Sequence, residues 1–161
     1  MSALTLTPKS WASWDFTVSD GSRPIADIDV SWWREKGLLT VQGVAHRVYR
    51  EGAMSGDFIL ERDGTTLARA SKPSAFRQAF VLDYAGRQYT LRKKSAWSRT
   101  FALIEGERIM GAITPNSMWT RDATVLLPED WPLPLRVFLV WLTIVLWKRD
   151  ADAGASAAAS A

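Results

Sequence analysis

Between residues 58 and 114 one pattern of apolar and polar positions recurs. Phe58–Arg62 runs into Asp63-Gly64 and returns as Thr65–Ser71. Phe80–Tyr84 meets Ala85-Gly86 and returns as Arg87–Lys94. Phe101–Ile104 meets Glu105-Gly106 and returns as Arg108–Thr114. Two short β-type runs joined by a two-residue turn with Gly in second place predict a hairpin each time. The copies keep phase: Phe58, Phe80 and Phe101 lie 22 and 21 residues apart, with Leu60, Leu82 and Leu103 two residues behind. An earlier copy starts at Phe16, turns at Asp20-Gly21 and returns over Ile25–Trp32, while Leu38–Val44 and Val48–Arg50 add further strand. A repeat of this size is one supersecondary unit stacked on the next. The unit is a hairpin, so the array is an antiparallel meander of about 9–12 strands.

Alternation sets the faces. Within their hairpins Phe58, Leu60 and Leu67 fall on one face, as do Phe80, Leu82, Tyr84, Tyr89 and Leu91; Glu61, Asp83, Gln88, Thr90, Arg92 and Lys94 point the other way. A sheet with one apolar face must cover it, and closing a long meander into a barrel removes its edges. A barrel this large is not filled by its own side chains.

The pattern changes at LPLRVFLVWLTIVLW, residues 133–147, which is apolar on every side. A helix without a polar stripe is buried, in a membrane or in protein. Between Arg136 and Lys148 lie eleven residues, about 16 Å of helix at 1.5 Å per residue. A bilayer core asks for about 20 apolar residues. The segment therefore reads as a core helix over residues 134–148, with Leu135, Leu139, Leu142 and Leu146 enclosed by the barrel. A tail anchor built from residues 131–147 is the alternative. Residues 1–13 are expected to be flexible, residues 14–149 to form the one domain, and residues 150–161 to be a disordered Ala/Ser tail.

Composition narrows the chemistry. The 161 residues are 47% hydrophobic and contain nine tryptophans and no cysteine, so neither disulfides nor thiolate metal sites arise. MSALTLTPKSWASWDF has no charged region followed by an apolar one, which is not a signal-peptide pattern. A cytoplasmic protein, peripheral to the inner face of a membrane, is expected. The formal net charge of +3 is uneven: residues 61–121 carry eleven basic and five acidic side chains, while both flanking segments are slightly acidic. That asymmetry points to anionic partners.

The repeated hairpins FILERDGTTLARASKP, FVLDYAGRQYTLRKKS and FALIEGERIMGAITP, ending in LPLRVFLVWLTIVLW, resemble the Tubby C-terminal-like superfamily over residues 14–149. That group includes the tubby domain, the phospholipid scramblases and the LURP-one-related proteins. The resemblance implies a closed antiparallel barrel around a hydrophobic C-terminal helix. In the tubby branch phosphoinositide headgroups bind basic residues on a strand, and Arg92-Lys93-Lys94 looks similar. The cysteine-rich and calcium-linked segments of scramblases are absent here, so their activities are not implied.

Catalytic patterns are missing. His46 is the sole histidine, whereas triads and histidine metal sites pair it with an orienting partner; it reads as structural. Asp27 and Asp29 share one strand face near Asp15 and Asp20, but lack the glycine-bearing loop of a calcium site. No Gly-rich phosphate loop, GxSxG or HExxH occurs. The remaining signal is the basic strand. Arg92 and Lys94 lie on one face, with Arg99 and Trp97 close behind in KKSAWSR. Cations beside an interfacial aromatic suit anionic lipid headgroups better than an RNA backbone. The expected function is a non-enzymatic barrel module, without cofactor or metal, that docks on anionic phospholipid. A barrel carrier for a small apolar ligand is the other reading.

Overall fold

The computed structural model of the chain describes residues 2–31, 35–52, 56–73 and 77–160. In order, its strands are β1 Leu4–Pro8, β2 Phe16–Asp20, β3 Arg23–Val30, β4 Lys36–Val41, β5 Val44–Arg50 and β6 Phe58–Arg62. There follow β7 Thr65–Ser71, β8 Ala79–Tyr84, β9 Arg87–Lys93, β10 Phe101–Glu105, β11 Arg108–Pro115 and β12 Ala123–Leu126, then the helix α1 Leu133–Ala159. Each strand pairs antiparallel with its chain neighbours, and β1 pairs with β12 through Leu4↔Val125, Thr5↔Thr124 and Leu6↔Ala123. The sheet is thus a closed twelve-strand barrel with no free edge.

The repeat phase becomes the inner wall. Phe16, Phe58, Phe80 and Phe101 stand at the start of their hairpins and are buried, as are Leu60, Leu82, Leu91 and Leu103. At Gln42-Gly43, Asp63-Gly64 and Ala85-Gly86 both central residues take positive φ, the type I′ form whose twist suits a hairpin. The first of these turns interrupts the run read as Leu38–Val44, so that β4 and β5 are a hairpin of their own. Glu105 pairs with Arg108 and Asp20 with Arg23, which moves those turns one residue on, to Gly106-Glu107 and Gly21-Ser22. Leu67 was expected inside. A bulge between Leu60 and Glu61 shifts the register of β7 by one, and Leu67 is 49% exposed; one extra residue turns a side chain to the other face.

The barrel interior holds α1. Leu135, Leu139, Leu142 and Leu146 are all buried, and every residue from Val137 to Trp147 is buried with them. Trp141 packs against Phe58 and Phe138, at 5.9 Å between ring centroids in both cases. Gly37 on β4 makes room for it: a Cβ there would lie 3.1 Å from Trp141 Nε1. The Thr143 hydroxyl donates to Leu139 O at 3.0 Å, which satisfies the one buried hydroxyl of this segment. No described helix is long and apolar enough to cross a membrane.

Both chain ends differ from expectation. Within residues 1–13, Leu4–Pro8 is the strand that closes the barrel, with Leu4 and Leu6 buried and Thr5 and Thr7 outward. The barrel therefore begins before residue 14. Residues 150–161 are not disordered over their described part: α1 continues to Ala159, with exposed side chains from Ala151 on. Ala-rich sequence has the highest intrinsic helix propensity, and here it extends a helix already nucleated inside the barrel. The return strand read as Ile25–Trp32 ends at Val30; Trp32 lies outside the described residues.

Candidate functional site

A meander barrel has two unlike ends. One carries the five tight turns, and there Trp131 ahead of α1 rests on Tyr84 and Tyr89 at 4.9 and 4.8 Å. The other carries the longer connections, residues 9–15, 31–35, 51–57, 72–78, 94–100 and 116–122. The helix emerges at this second rim. Trp147 Nε1 donates to Arg99 O at 2.9 Å, Lys93 pairs with Asp150 at 2.7 Å, and Arg149 pairs with Glu35.

The rim loops share a construction. Lys9 N donates to Asp15 O, Glu51 N to Asp57 O, Lys94 N to Thr100 O and Asn116 N to Asp122 O, all at 2.8–2.9 Å. Each bond closes a loop over six residues. In three of these loops the tip carries a large apolar side chain turned to solvent: Trp11 at 93%, Trp97 at 98%, and Met118 and Trp119 at 85% and 93%. The strand order β9-β10-β11-β12-β1-β2 makes these three loops successive around the rim. In sequence the other long connections contain Trp32, Trp33, Met54 and Phe76, which lie outside the described residues, whereas the five tight turns contain no large apolar residue.

Arginines brace two of these tips, at 9–15 and 116–122. Arg121 donates to Ser10 O at 2.8 Å and also to Trp11 O and Ser13 O, and its guanidinium stands 5.1 Å from the Trp14 ring. Arg99 reaches Ser117 O at 3.4 Å and Met118 O at 3.5 Å, with its guanidinium 5.5 Å from the Trp147 ring. Each arginine thus supports the next loop around the rim. Arg99 was expected beside Arg92 and Lys94 as an anion ligand. It is half-buried, its Nη1 faces these carbonyls, and its own carbonyl accepts from Trp147 Nε1 of the emerging helix.

Arg92 and Lys94 are exposed on one face of β9 and the strand's end, as their parity required, and Trp97 is on the loop that follows. Between the loops at 72–78 and 94–100 runs a groove of about 750 Å³. Arg77, Arg92 and Lys93 line it over a floor of Ala79, Val81 and Thr90, and no acidic residue is among its described lining. Lys93 is tied to Asp150. Arg77, Arg92 and Lys94 have no ion-pair partner among the described residues. Elsewhere on the rim, Arg69 bonds Glu51 at 2.6 Å and Asp57 at 3.1 Å, and Arg50 meets Glu35 at 3.0 Å. Burial and the nearby Arg149 lower the Lys72 ammonium's pKa, with Glu35 opposing.

The other candidates take structural roles. His46 is 2% exposed, and its Nδ1 lies 3.0 Å from Val44 O, to which it donates as the Nδ1–H tautomer. Asp27 and Asp29 are bridged by Lys9 Nζ at 3.2 and 2.9 Å. Burial pulls the Lys9 pKa down, but its hydrogen bonds to Asp29 and Asp27 and their charges outweigh that and raise it. The sequence pattern singles out Trp97 but not the equally exposed Trp11, Met118 and Trp119. Their signal is position at a loop tip, which becomes visible once the hairpin repeat is extended to the connections.

No family model, curated protein or solved structure matches the chain.

Proposed function

We propose that this chain is a non-enzymatic docking module for anionic phospholipid surfaces, held at the cytoplasmic face of a membrane. The observation that carries the reading is that Arg77 and Arg92 in the groove, and Lys94 just past the end of β9, have no ion-pair partner among the described residues, with the solvent-exposed Trp97 on the loop that follows. A phosphate group placed in the groove would meet Arg77 and Arg92 from two sides, and guanidinium groups bind phosphate oxygens through paired donors. Each basic residue near an anionic bilayer adds about 1 kcal/mol of attraction. The closed barrel around an apolar C-terminal helix is also what the resemblance to the Tubby C-terminal-like superfamily implies, and it supports placing the chain with that group. The alternative of an apolar-ligand carrier needs interior space, which the buried side chains of α1 occupy.

Co-sedimentation with anionic vesicles at low salt tests this. Wild type is expected to pellet with them and to be released as salt rises, because exposed charges are screened. Arg92→Glu/Lys94→Glu changes four charge units, worth about 4 kcal/mol or roughly a thousandfold in partitioning. The fold should be unaffected, since both side chains are exposed and substitutions at such sites are small in stability. Equal binding by the double variant would sink the reading.

A further inference from the structure

We propose that the loop rim enters the bilayer interface, with Trp97, Trp119 and Trp11 inserted at headgroup depth and Met118 beside them. This deepens the docking reading above and rests on it. Charge alone holds a protein at a surface; these tips add an apolar, salt-resistant component.

Three observations carry the inference. The first is exposure. Single exposed apolar residues are ordinary, but these four are 85% exposed or more and sit on three successive loops. Indole combines a large apolar body with one N–H donor, which suits the boundary between acyl chains and water. The second is preorganisation. The loops are closed by the same backbone bond across six residues, and Arg99 and Arg121 hold neighbouring backbones through carbonyls. At 116–122 and 9–15 an arginine from the neighbouring loop holds a backbone whose apex is apolar, so little ordering remains to be lost there on insertion. The third is charge complementarity. Lys94 closes the Trp97 loop through its backbone and Arg92 stands two residues before it, both exposed, so the approach that inserts Trp97 brings them to the phosphates.

The occupant is a bilayer rather than a protein groove. The exposed apolar residues sit on three separate loops, and the exposed Arg92 and Lys94 stand just ahead of the Trp97 loop tip. The helix fixes the attitude of docking. From Asp150 to Ala159 it stands out of the rim by about 15 Å at 1.5 Å per residue. The barrel must therefore lean onto the arc of loops 94–100, 116–122 and 9–15 rather than stand upright on its end. Arg99 and Arg121 are positioning residues in this scheme.

The experiment is vesicle co-sedimentation of the full chain at low salt and at about 1 M salt, where screening reaches about 3 Å. Vesicles contain phosphatidylcholine with or without phosphatidylserine. The variants are Trp97→Ala, Trp119→Ala and their double, with Ile109→Ala as control, a side chain 61% exposed on the barrel wall. Each tryptophan change is expected to weaken partitioning about tenfold and the double about a hundredfold, from lost apolar burial. Wild type should keep measurable binding to anionic vesicles at high salt, and the double variant should lose it; Ile109→Ala should match wild type throughout. If wild type binds and the double variant binds equally at both salts, insertion is overturned while electrostatic docking stands. Loss in Ile109→Ala as large as in the tryptophan variants would also overturn the assignment to the rim. If wild type pellets with no vesicle, both the insertion and the docking reading fall, and the rim is left as a surface for a protein partner.

Discussion

Leu142→Ala probes the packing on which the rest depends. Leu142 lies mid-helix with 0% exposure, between Trp141 and Thr143, which are equally buried. Removing its isobutyl end takes away about three carbons, or about 2.4 kcal/mol at 0.8 per buried methylene. The cavity adds to this. Strands surround the helix on all sides in a closed sheet, so neighbours have little freedom to collapse inward, and a void of about 75 Å³ at 24 cal/mol per Å³ adds about 1.8 kcal/mol. The sum is about 4 kcal/mol, which for a domain of this length lowers Tm by about 8–16 °C. Thermal unfolding followed by circular dichroism reads this directly. Leu142→Arg should be worse, yielding no folded protein, since it places an unpaired charge in a dry core. A Leu142→Ala protein melting within about 2 °C of wild type would show that the site is not enclosed, and the sheathed-helix account would fail.

Gly37→Ala should destabilise by about 1–3 kcal/mol in chemical denaturation, because its Cβ would lie 2.8 Å from the backbone oxygen of Asp29 and 3.1 Å from Trp141 Nε1 and Val48 Cγ2; an unchanged midpoint would contradict that. Lys9→Gln should remove at most about 1 kcal/mol, since this ion pair is partly exposed. The Lys9 pKa is raised in the fold, so its contribution is complete below the ordinary lysine value of about 10.4 and disappears as pH climbs through the raised one. The Tm gap between wild type and Lys9→Gln near neutral pH should therefore close in strong alkali, and a gap that widens there would have the wrong sign.

Much of the barrel is legible in the chain because its information is local. Phe58, Phe80 and Phe101 keep phase, and Asp63-Gly64 and Ala85-Gly86 are turns whose glycine meets a positive φ. The helix was readable from its apolar run and from a length too short for a bilayer. What escaped depends on distant partners. Leu4–Pro8 is a short alternating segment that gains its place only by pairing with β12, itself four residues long. Leu67 faces outward because of a bulge, which one extra residue decides and no period reveals. The rim divides the same way. Arg92 and Lys94 follow from strand parity, and Trp97 from its place after them. Trp11 and Trp119 lie over 100 residues apart in sequence, and only closure of β1 on β12 makes their loops neighbours. For Arg99 the sequence shows the charge but not the carbonyls of Ser117 and Met118 on the neighbouring loop that its Nη1 reaches.

The claim that this chain meets a membrane through its loop rim is tested most directly by hydrogen exchange, peptide by peptide, with and without anionic vesicles. Slowed exchange confined to residues 9–15, 94–100 and 116–122, with the tight turns at Gly21, Gly43, Gly64, Gly86 and Gly106 unchanged, is the predicted result. Protection at the tight turns instead, or no protection anywhere on vesicles that retain the protein, would contradict it.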